Sequence, residues 1–270
     1  MPPPSPGHLK LVLTRSFFAI TLAALLVWSW FGMEISVADV ARSGPHMVEF
    51  IERMFPPDLT LSDNEQRAFA PPLQLAGRAV LITLQISLLG TAIGAIVSLV
   101  LGFVAAENLT PRWVHHPIKL TLALLRSIPV LVLALLFVSA LGLGAFPGVL
   151  AIAFHSIGML GKLFAEECES TDQRVWEALD SAGANWFQKV RYAIWPQVAA
   201  QNYSLILFRL EMNIRESAVL GFVGVAGLGL WIENYRRAFD YPSVATLVIV
   251  TMLVVLVVEQ TSIQIRRNLK

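Results

Sequence analysis

The stretch EALDSAGANWFQKVRYAIWP, residues 177–196, is polar and amphipathic within a chain that is otherwise strongly apolar. Gly183 stands where a left-handed C′ glycine would end a helix. Asn185 followed by Gln188 has the spacing of a capping box that begins a second helix, and Pro196 is expected to end it. The stretch therefore predicts two short helices joined by a glycine turn.

Each of these two helices is predicted to have an apolar side. Ser170 followed by Gln173 predicts a capping box at the start of the first helix. The apolar positions recur at helical spacing: Val175, Leu179 and Ala182 on the first helix, and Phe187, Val190 and Ile194 on the second.

The rest of the chain has the composition of an integral membrane protein. Hydrophobic residues make up 56% of the chain and charged residues only 14%, whereas a soluble domain is about 25% charged. The net charge of +1 indicates neither a nucleic-acid nor an acidic partner. The single Cys168 excludes an internal disulfide framework, and the five histidines lack ligand spacing, so no metal site is predicted.

An all-α membrane fold with about six crossing helices follows from the apolar segments, each near the roughly 20 residues that a bilayer requires. The predicted spans are 11–31, 80–105, 118–141, 146–165, 199–222 and 243–263. With six crossings, the Lys and Arg residues of most connecting segments fall on one side, which predicts that both termini are cytoplasmic. Cys168 would then lie at the inner face, open to thiol reagents from that side.

The same assignment predicts three regions along the chain. They are a tail and anchor helix over 1–32, an acidic external segment over 33–77, and a transmembrane core over 78–270 that contains a cytoplasmic loop at 167–198. Arg236 and Arg237 fall on the outer side, where Glu233 and Asp240 are expected to balance them.

Two glycine-rich patterns have a structural interpretation. Gly90, Gly94, Ser98 and Gly102 follow one another at intervals of four and form a flat stripe for close helix packing, within the chain or across a dimer. The stretch GFVGVAGLGLW, 221–231, lacks the residues of a phosphate-binding loop. It predicts either irregular backbone near a pore or a kinked helix end.

Three interpretations compete for the stretch that ends at Pro196. It could be a loop lying on the membrane surface, or a docking element whose apolar face enters a groove on a soluble partner. A DNA-reading helix-turn-helix is disfavoured, because both ends of the stretch lead into membrane spans and it is not strongly basic.

EALDSAG and AIWP, with thirteen positions from Gly183 to Pro196, resemble the cytoplasmic loop motif of ABC-importer permeases. That motif reads Glu-Ala-Ala, three residues, Gly, then Ile-x-Leu-Pro. Glu177, Ala178, Gly183 and Pro196 match it. Three positions depart from it: Leu179, Ala193 and Trp195. The resemblance implies a coupling helix that docks onto an ATP-binding subunit.

A narrower resemblance to permeases of the phosphonate uptake branch lies in residues 126–167 and 216–229, and the likeness as a whole covers about 78–270. It implies a type I importer fold in a bacterial cytoplasmic membrane. It also implies a second permease copy, an external binding protein, and a pair of cytoplasmic subunits that bind the ATP and Mg²⁺. No cofactor and no catalysis are expected of this chain itself.

Polar and ionisable residues inside the predicted spans suggest a substrate path, because such residues are costly in a membrane and are often functional. The candidate path residues are Arg126, Ser127, His155, Arg209 and Asn213. Asn202, Arg209, Asn213 and Glu216 share one face of the fifth span, whereas Glu211 and Arg215 lie opposite and can pair. Two structural alternatives stay open: Arg209 pairs with Glu216 or another acid, and a backbone carbonyl satisfies His155.

The resulting hypothesis is the transmembrane subunit of an ATP-driven importer of phosphonate or a similar phosphorus oxyanion, working by alternating access. The same machinery could carry another small solute, such as the amino acid methionine. A membrane-embedded enzyme or a passive channel are alternatives of a different class, although no reactive constellation supports an enzyme.

Overall fold

The computed structural model describes residues 6–33, 36–61 and 69–268. Within these ranges the regular elements are helices, and one isolated bridge joins Gly144 to Val225. The chain divides into two units, Met1–Arg53 and Met54–Lys270. The residues outside the described ranges are 1–5 of the predicted tail, 34–35 and 62–68 of the predicted external segment, and 269–270 of the predicted core.

The first unit contains α1 (Pro6–Gly32) and nearly all of α2 (Val37–Met54). Residues Thr14–Gly32 of α1 are long and apolar enough to cross a membrane, as the sequence predicts. In α2, Arg53 donates to Glu49 one turn earlier.

The second unit holds the remaining helices. They are α3 (Pro72–Ala105), α4 (Arg112–Ser127), α5 (Val130–Leu141), α6 (Ala145–Glu169), α7 (Gln173–Ser181), α8 (Trp186–Lys189), α9 (Trp195–Leu220), α10 (Leu228–Arg237) and α11 (Tyr241–Asn268). A π-helical turn, Val190–Ile194, joins α8 to α9, and a 3₁₀ turn, Gly221–Val223, follows α9.

Helices α3 and α6 pack face to face through the predicted small-residue stripe. A Cβ atom added at Gly94 would lie 2.6 Å from Cβ of Ser156, and one at Gly102 would lie 2.7 Å from Cβ of Phe164. Contacts advance along both helices in the same direction, so α3 and α6 run parallel. The stripe therefore serves packing within the chain, one of the two predicted roles.

The predicted third span, 118–141, is wrong as a continuous helix. Helix α4 ends at Ser127, and α5 leaves it at an angle of 84°. The break lies at Ile128, whose backbone is extended (φ −84°, ψ 120°) immediately before Pro129. A residue before proline is pushed out of the α region, and proline itself lacks the N–H that a helix would use.

Four described helices are long and apolar enough to span a membrane, or five if the bent α4–α5 pair counts as one span. Helix α9 corresponds to the predicted span 199–222 but is not among them, although it is 26 residues long. Its buried Asn202, Arg209 and Asn213 make it too polar to cross lipid alone. It is instead packed against α3 and α6.

The two ends of the second unit have separate apolar cores. At one end, Ala76 and Ala79 at the start of α3 pack with Leu228 and Tyr235 of α10 and Leu247 of α11.

At the other end, the core combines residues that follow α3 with the end of α6 and the π-helical turn: Ala106, Leu109, Cys168, Ala193 and Ile194. Cys168 thus lies at the end that carries α7, but its side chain is fully buried. The expectation that it is open to thiol reagents is wrong, because this core covers it.

In the glycine-rich stretch 221–231, residues 224–227 form irregular backbone between the 3₁₀ turn and α10. The N–H of Gly144 donates to the Gly224 carbonyl over 3.3 Å, and the N–H of Ala226 donates to the Gly144 carbonyl over 3.1 Å. The N–H of Leu228, which begins α10, donates to Thr83 Oγ1 of α3 over 2.9 Å. These hydrogen bonds pair backbone N–H and C=O groups that have no partner within a helix.

Candidate functional site

The first candidate site is the α7–α8 segment, residues 172–196. Helix α7 starts at the N-cap Asp172, whose side chain accepts from the backbone N–H of Arg174 over 3.0 Å. The bonds donated by the Arg174 side chain and backbone lower the pKa of Asp172. Ser170 was predicted as this cap, but its hydroxyl donates to the Glu167 carbonyl and closes α6 instead.

The glycine turn is present as predicted. Gly183 has φ +77°, and its N–H donates to the Asp180 carbonyl while that of Ala184 donates to the Leu179 carbonyl. These two bonds form the Schellman motif that ends α7.

The predicted capping box that starts the second helix is also confirmed. Asn185 Oδ1 accepts from the backbone N–H of Gln188 over 2.9 Å, and Gln188 Oε1 accepts from that of Asn185 over 2.8 Å. Two hydrogen bonds thereby fix the point at which the chain becomes helical again.

Pro196 does not end this second helix, contrary to prediction. The chain passes from α8 through the π-helical turn directly into α9, and Pro196 lies in the first turn of α9. A proline is tolerated there because the first turn of a helix leaves its N–H groups unpaired. The segment is therefore continuous with α9.

Side-chain contacts hold the segment against the second unit. Trp186 Nε1 donates to the Leu109 carbonyl over 2.9 Å, next to the end of α3. The ammonium of Lys189 lies 4.6 Å from the centroid of the Trp176 ring and also contacts Asp180. Helices α7 and α8 are thus fastened to each other and to the core beneath them.

The four motif residues are all exposed: Glu177, Ala178, Gly183 and Pro196. Phe187 is 77% exposed, although the sequence predicts it on the same apolar side as Val190 and Ile194. Those two residues pack inward. The helical spacing places these residues near one another, but it does not say which of them the core beneath reaches.

The second candidate site is a buried polar cluster around Arg209 of α9, which is only 2% exposed. Its guanidinium donates to both carboxylate oxygens of Glu216, from Nη1 to Oε1 over 3.3 Å and from Nη2 to Oε2 over 3.0 Å. Nε donates to Ser156 Oγ over 3.2 Å, and Nη1 lies 3.4 Å from the sulfur of Met159. The predicted pairing of Arg209 with Glu216 is therefore present.

Asn213 extends the cluster from α9 to both α3 and α6. Its Nδ2 donates to Thr91 Oγ1 over 2.7 Å and to Ser156 Oγ over 3.0 Å. Ser87 Oγ donates to the Asn213 backbone carbonyl over 3.2 Å. Thr91 was not singled out from the sequence, although Thr83, Ser87 and Thr91 recur every four residues along one face of α3.

Several buried polar atoms of α6 and α9 have no hydrogen-bond partner among the described residues. They are Nδ1 of His155, both side-chain polar atoms of Asn202, Oδ1 of Asn213 and Oγ of Ser217. The backbone carbonyl expected to satisfy His155 is not found for Nδ1.

The remaining path candidates lie apart from Arg209. Arg126 and Ser127 are exposed at the end of α4. The Arg126 backbone nitrogen approaches Gly158 of α6, whereas Arg209 contacts Ser156. Two positions along a helix differ by about 200°, so the two arginines share a depth but occupy different sides of α6.

The pair predicted on the opposite face of α9 is confirmed. Arg215 lies 3.5 Å from Glu211, and Arg266 of α11 reaches the same carboxylate over 3.2 Å. These charges join α9 to α11 and are structural.

Comparisons with known proteins agree on one family. Residues 98–261 match the family described as binding-protein-dependent transport system inner membrane component. The phosphite transport system permease protein PtxC of Stutzerimonas stutzeri is 35% identical over 93% of this chain and 88% of its own.

The phosphate-import permease protein PhnE of Mycolicibacterium smegmatis is 36% identical over 91% of this chain, which spans only 44% of that relative's length.

Solved structures show the same fold. A chain of the inward-facing MetNI methionine ABC transporter superposes on this chain with a TM-score of 0.66 and 18% identity. The match covers 73% of this chain and 97% of that chain. A chain of a bacterial ABC transporter involved in alginate import superposes with a TM-score of 0.57 and 15% identity. That match covers 96% of this chain and 99% of that chain.

Proposed function

Since the chain belongs to the family of binding-protein-dependent transport system inner membrane components, we propose that it is the permease subunit of an ATP-driven importer of phosphonate or a similar small phosphorus oxyanion. The names of its relatives support this cargo, because they are described as permeases for phosphite and phosphate. The chemistry of a buried guanidinium is consistent with an oxyanion passing nearby.

The observation that carries the proposal is the α7–α8 segment. The four motif residues and Phe187 are all exposed on it, while Trp186 and the Schellman turn hold its geometry. An exposed aromatic side chain on a rigid helical platform suits insertion into a groove of a partner protein. The partner would be the ATP-binding subunit, which holds the ATP and Mg²⁺.

The continuity of the segment with α9 supplies a route for coupling. Because α8, the π-helical turn and α9 form one helical path, a displacement of the segment would be passed to α9. Helix α9 carries Arg209 and Asn213, which hold it to α6 and α3. ATP-driven movement of the partner would thus shift α9 against those helices and open the path inward.

The proposed assembly contains a second permease copy or a homologue, a pair of ATP-binding subunits and an external binding protein. The chain itself lies in the inner membrane, as its family description states. Both termini on the cytoplasmic side would place the α7–α8 segment beside the ATPase, consistent with the Lys and Arg distribution.

Uptake by vesicles containing the reconstituted complex tests the function. With the binding protein present, we expect ATP-dependent uptake of phosphite or a phosphonate, and no uptake without ATP. Methionine serves as the competing cargo. Uptake of methionine alone would overturn the phosphorus cargo, and cargo flux without ATP would indicate a channel.

A further inference from the structure

Arg209 and Glu216 face each other as a two-oxygen clamp inside the helix bundle. Both terminal nitrogens of the guanidinium donate to one carboxylate, at 3.3 and 3.0 Å. The same fork geometry accepts two oxygens of a phosphorus oxyanion. Glu216 therefore occupies the position that such an anion would take.

Within the clamp, the carboxylate is more exposed than the guanidinium. On α6, Ser156 accepts a hydrogen bond from Nε of Arg209, and the sulfur of Met159 contacts Nη1. Glu216 is 24% exposed at its side chain, whereas Arg209 is only 2% exposed. An anion that approaches from the exposed side of Glu216 meets the carboxylate first and reaches the guanidinium only if that carboxylate moves away.

A second polar group lies on the same part of α6. His155 is four residues before Met159 and so shares its side of the helix. It is half-buried, and its Nδ1 has no hydrogen-bond partner among the described residues. An imidazole nitrogen here could bond an oxygen of an anion held at Arg209.

From these observations we propose that Glu216 is an internal lock on Arg209: its carboxylate fills the guanidinium fork between transport cycles and yields it to the phosphorus oxyanion as cargo passes. The lock rests on the proposed function. No covalent step is involved, only the exchange of one anionic ligand of Arg209 for another.

Charge and tethering explain how such a lock both admits and releases cargo. At a pH near its second pKa of about 6, a phosphorus oxyanion carries up to two negative charges, whereas Glu216 carries one. The anion therefore competes with the Glu216 carboxylate for the guanidinium of Arg209. The carboxylate remains tethered seven residues away on the same helix and returns once the site opens to the cytoplasm. When the Glu216 carboxylate returns, it displaces the anion from Arg209. The cargo is therefore not retained by the buried arginine.

Removing the carboxylate gives a direct test on the full-length purified chain. Thermal unfolding of Glu216→Gln is followed with increasing sodium phosphite, with sodium chloride of equal ionic strength as the reference. We expect phosphite to raise the melting temperature of this variant and to bind about tenfold or more tightly than in the wild-type chain, because the competing ligand is gone.

Glu259→Gln is the matched control, because it removes a carboxylate 3.9 Å from Arg215 on the other side of α9. It should show no phosphite-specific rise. If Glu216→Gln fails to fold, Glu216→Asp replaces it, since the shorter side chain weakens the two-oxygen contact and keeps the charge. An equal response in all chains, or none in the Glu216 variants, would overturn the lock.

Vesicle uptake separates this inference from the function beneath it. Phosphite uptake by the wild-type complex, together with no phosphite effect on the Glu216 variants, rejects the lock and keeps the proposed function. The absence of phosphite and phosphonate uptake by the wild-type complex rejects both.

Discussion

Gly183 is the residue at which the α7–α8 segment changes direction, and its requirement is conformational. Its φ of +77° lies in the left-handed region, and a Cβ there would meet nothing within 4 Å. Backbone strain alone therefore opposes substitution, by about 1–2 kcal/mol for most residues and more for a β-branched one.

Gly183→Val should consequently misplace α8 relative to α7, so that the chain still inserts but binds the ATPase weakly or transports poorly. Gly183→Asn is the matched variant, since asparagine tolerates this conformation. Co-purification with the ATPase and uptake in vesicles measure the effect. Normal transport by the valine variant would show that the turn needs no fixed geometry.

Glu233 is the residue whose ionisation ties together the end of α10. Hydrogen bonds and charge from Arg236, and then from Arg237, lower the pKa of this buried carboxyl to about 2. Because the folded pKa lies below the ordinary value of 4.5, the pair contributes stability above about pH 4.5 and loses it between pH 4.5 and 2.

We expect the difference in melting temperature between the wild-type chain and Glu233→Gln to be constant from pH 7 to about 5 and to shrink below about 4.5. Melting curves at several pH values check this. A difference that stays constant down to pH 3 would show that the ion pairs do not set it.

The prediction that Glu233 balances both arginines is confirmed, whereas Asp240 bonds Ser243 at the start of α11.

At the scale of elements, the close approach of α3 and α6 is what the small residues on α3 make possible. A Cβ at Gly94 would lie 2.6 Å from Cβ of Ser156 and 3.2 Å from the Ala153 carbonyl. Overpacking of this kind typically costs about 1–3 kcal/mol.

Gly94→Leu should separate the helices and also disturb the Arg209 cluster, because Ser156 bonds both Arg209 and Asn213. Gly77→Leu is the matched control on the same helix, since a Cβ at Gly77 would meet nothing within 4 Å. Melting temperature in detergent and uptake should fall for Gly94→Leu alone. Equal losses in both variants would contradict a packing role specific to the stripe.

At the scale of the whole molecule, the second unit has two distinct ends. Helix α3 is 34 residues long, so its ends lie about 50 Å apart at 1.5 Å per residue. Its start packs with α10 and α11, and the residues after its end pack with the α7–α8 segment. The proposed orientation places the first end outside and the second in the cytoplasm.

Ala182→Cys and Ala238→Cys are a matched pair for this orientation, because both alanines are exposed C-cap residues, of α7 and α10 respectively. A membrane-impermeant maleimide should label Ala238→Cys in intact cells and Ala182→Cys only in inside-out vesicles. The wild-type chain, whose Cys168 is buried, supplies the background. Labelling of both variants from one side would contradict the proposed crossing.

The sequence determined the features that depend on neighbours along the chain. The apolar segments, the glycine turn at Gly183 and the capping box at Asn185 arise from interactions within a few residues, so residue type and spacing suffice to predict them. The shared face of Arg209, Asn213 and Glu216 is likewise a property of one helix.

Only the tertiary structure decided which of those faces meet. Phe187 is exposed while Val190 and Ile194 pack inward, and the chain runs from the π-helical turn into α9 at Pro196. Arg126 and Arg209 share a depth yet lie on different sides of α6, and Thr91 joins the cluster from a distant part of the chain. Such placements are set by contacts between residues far apart in sequence, about which a local pattern carries no information.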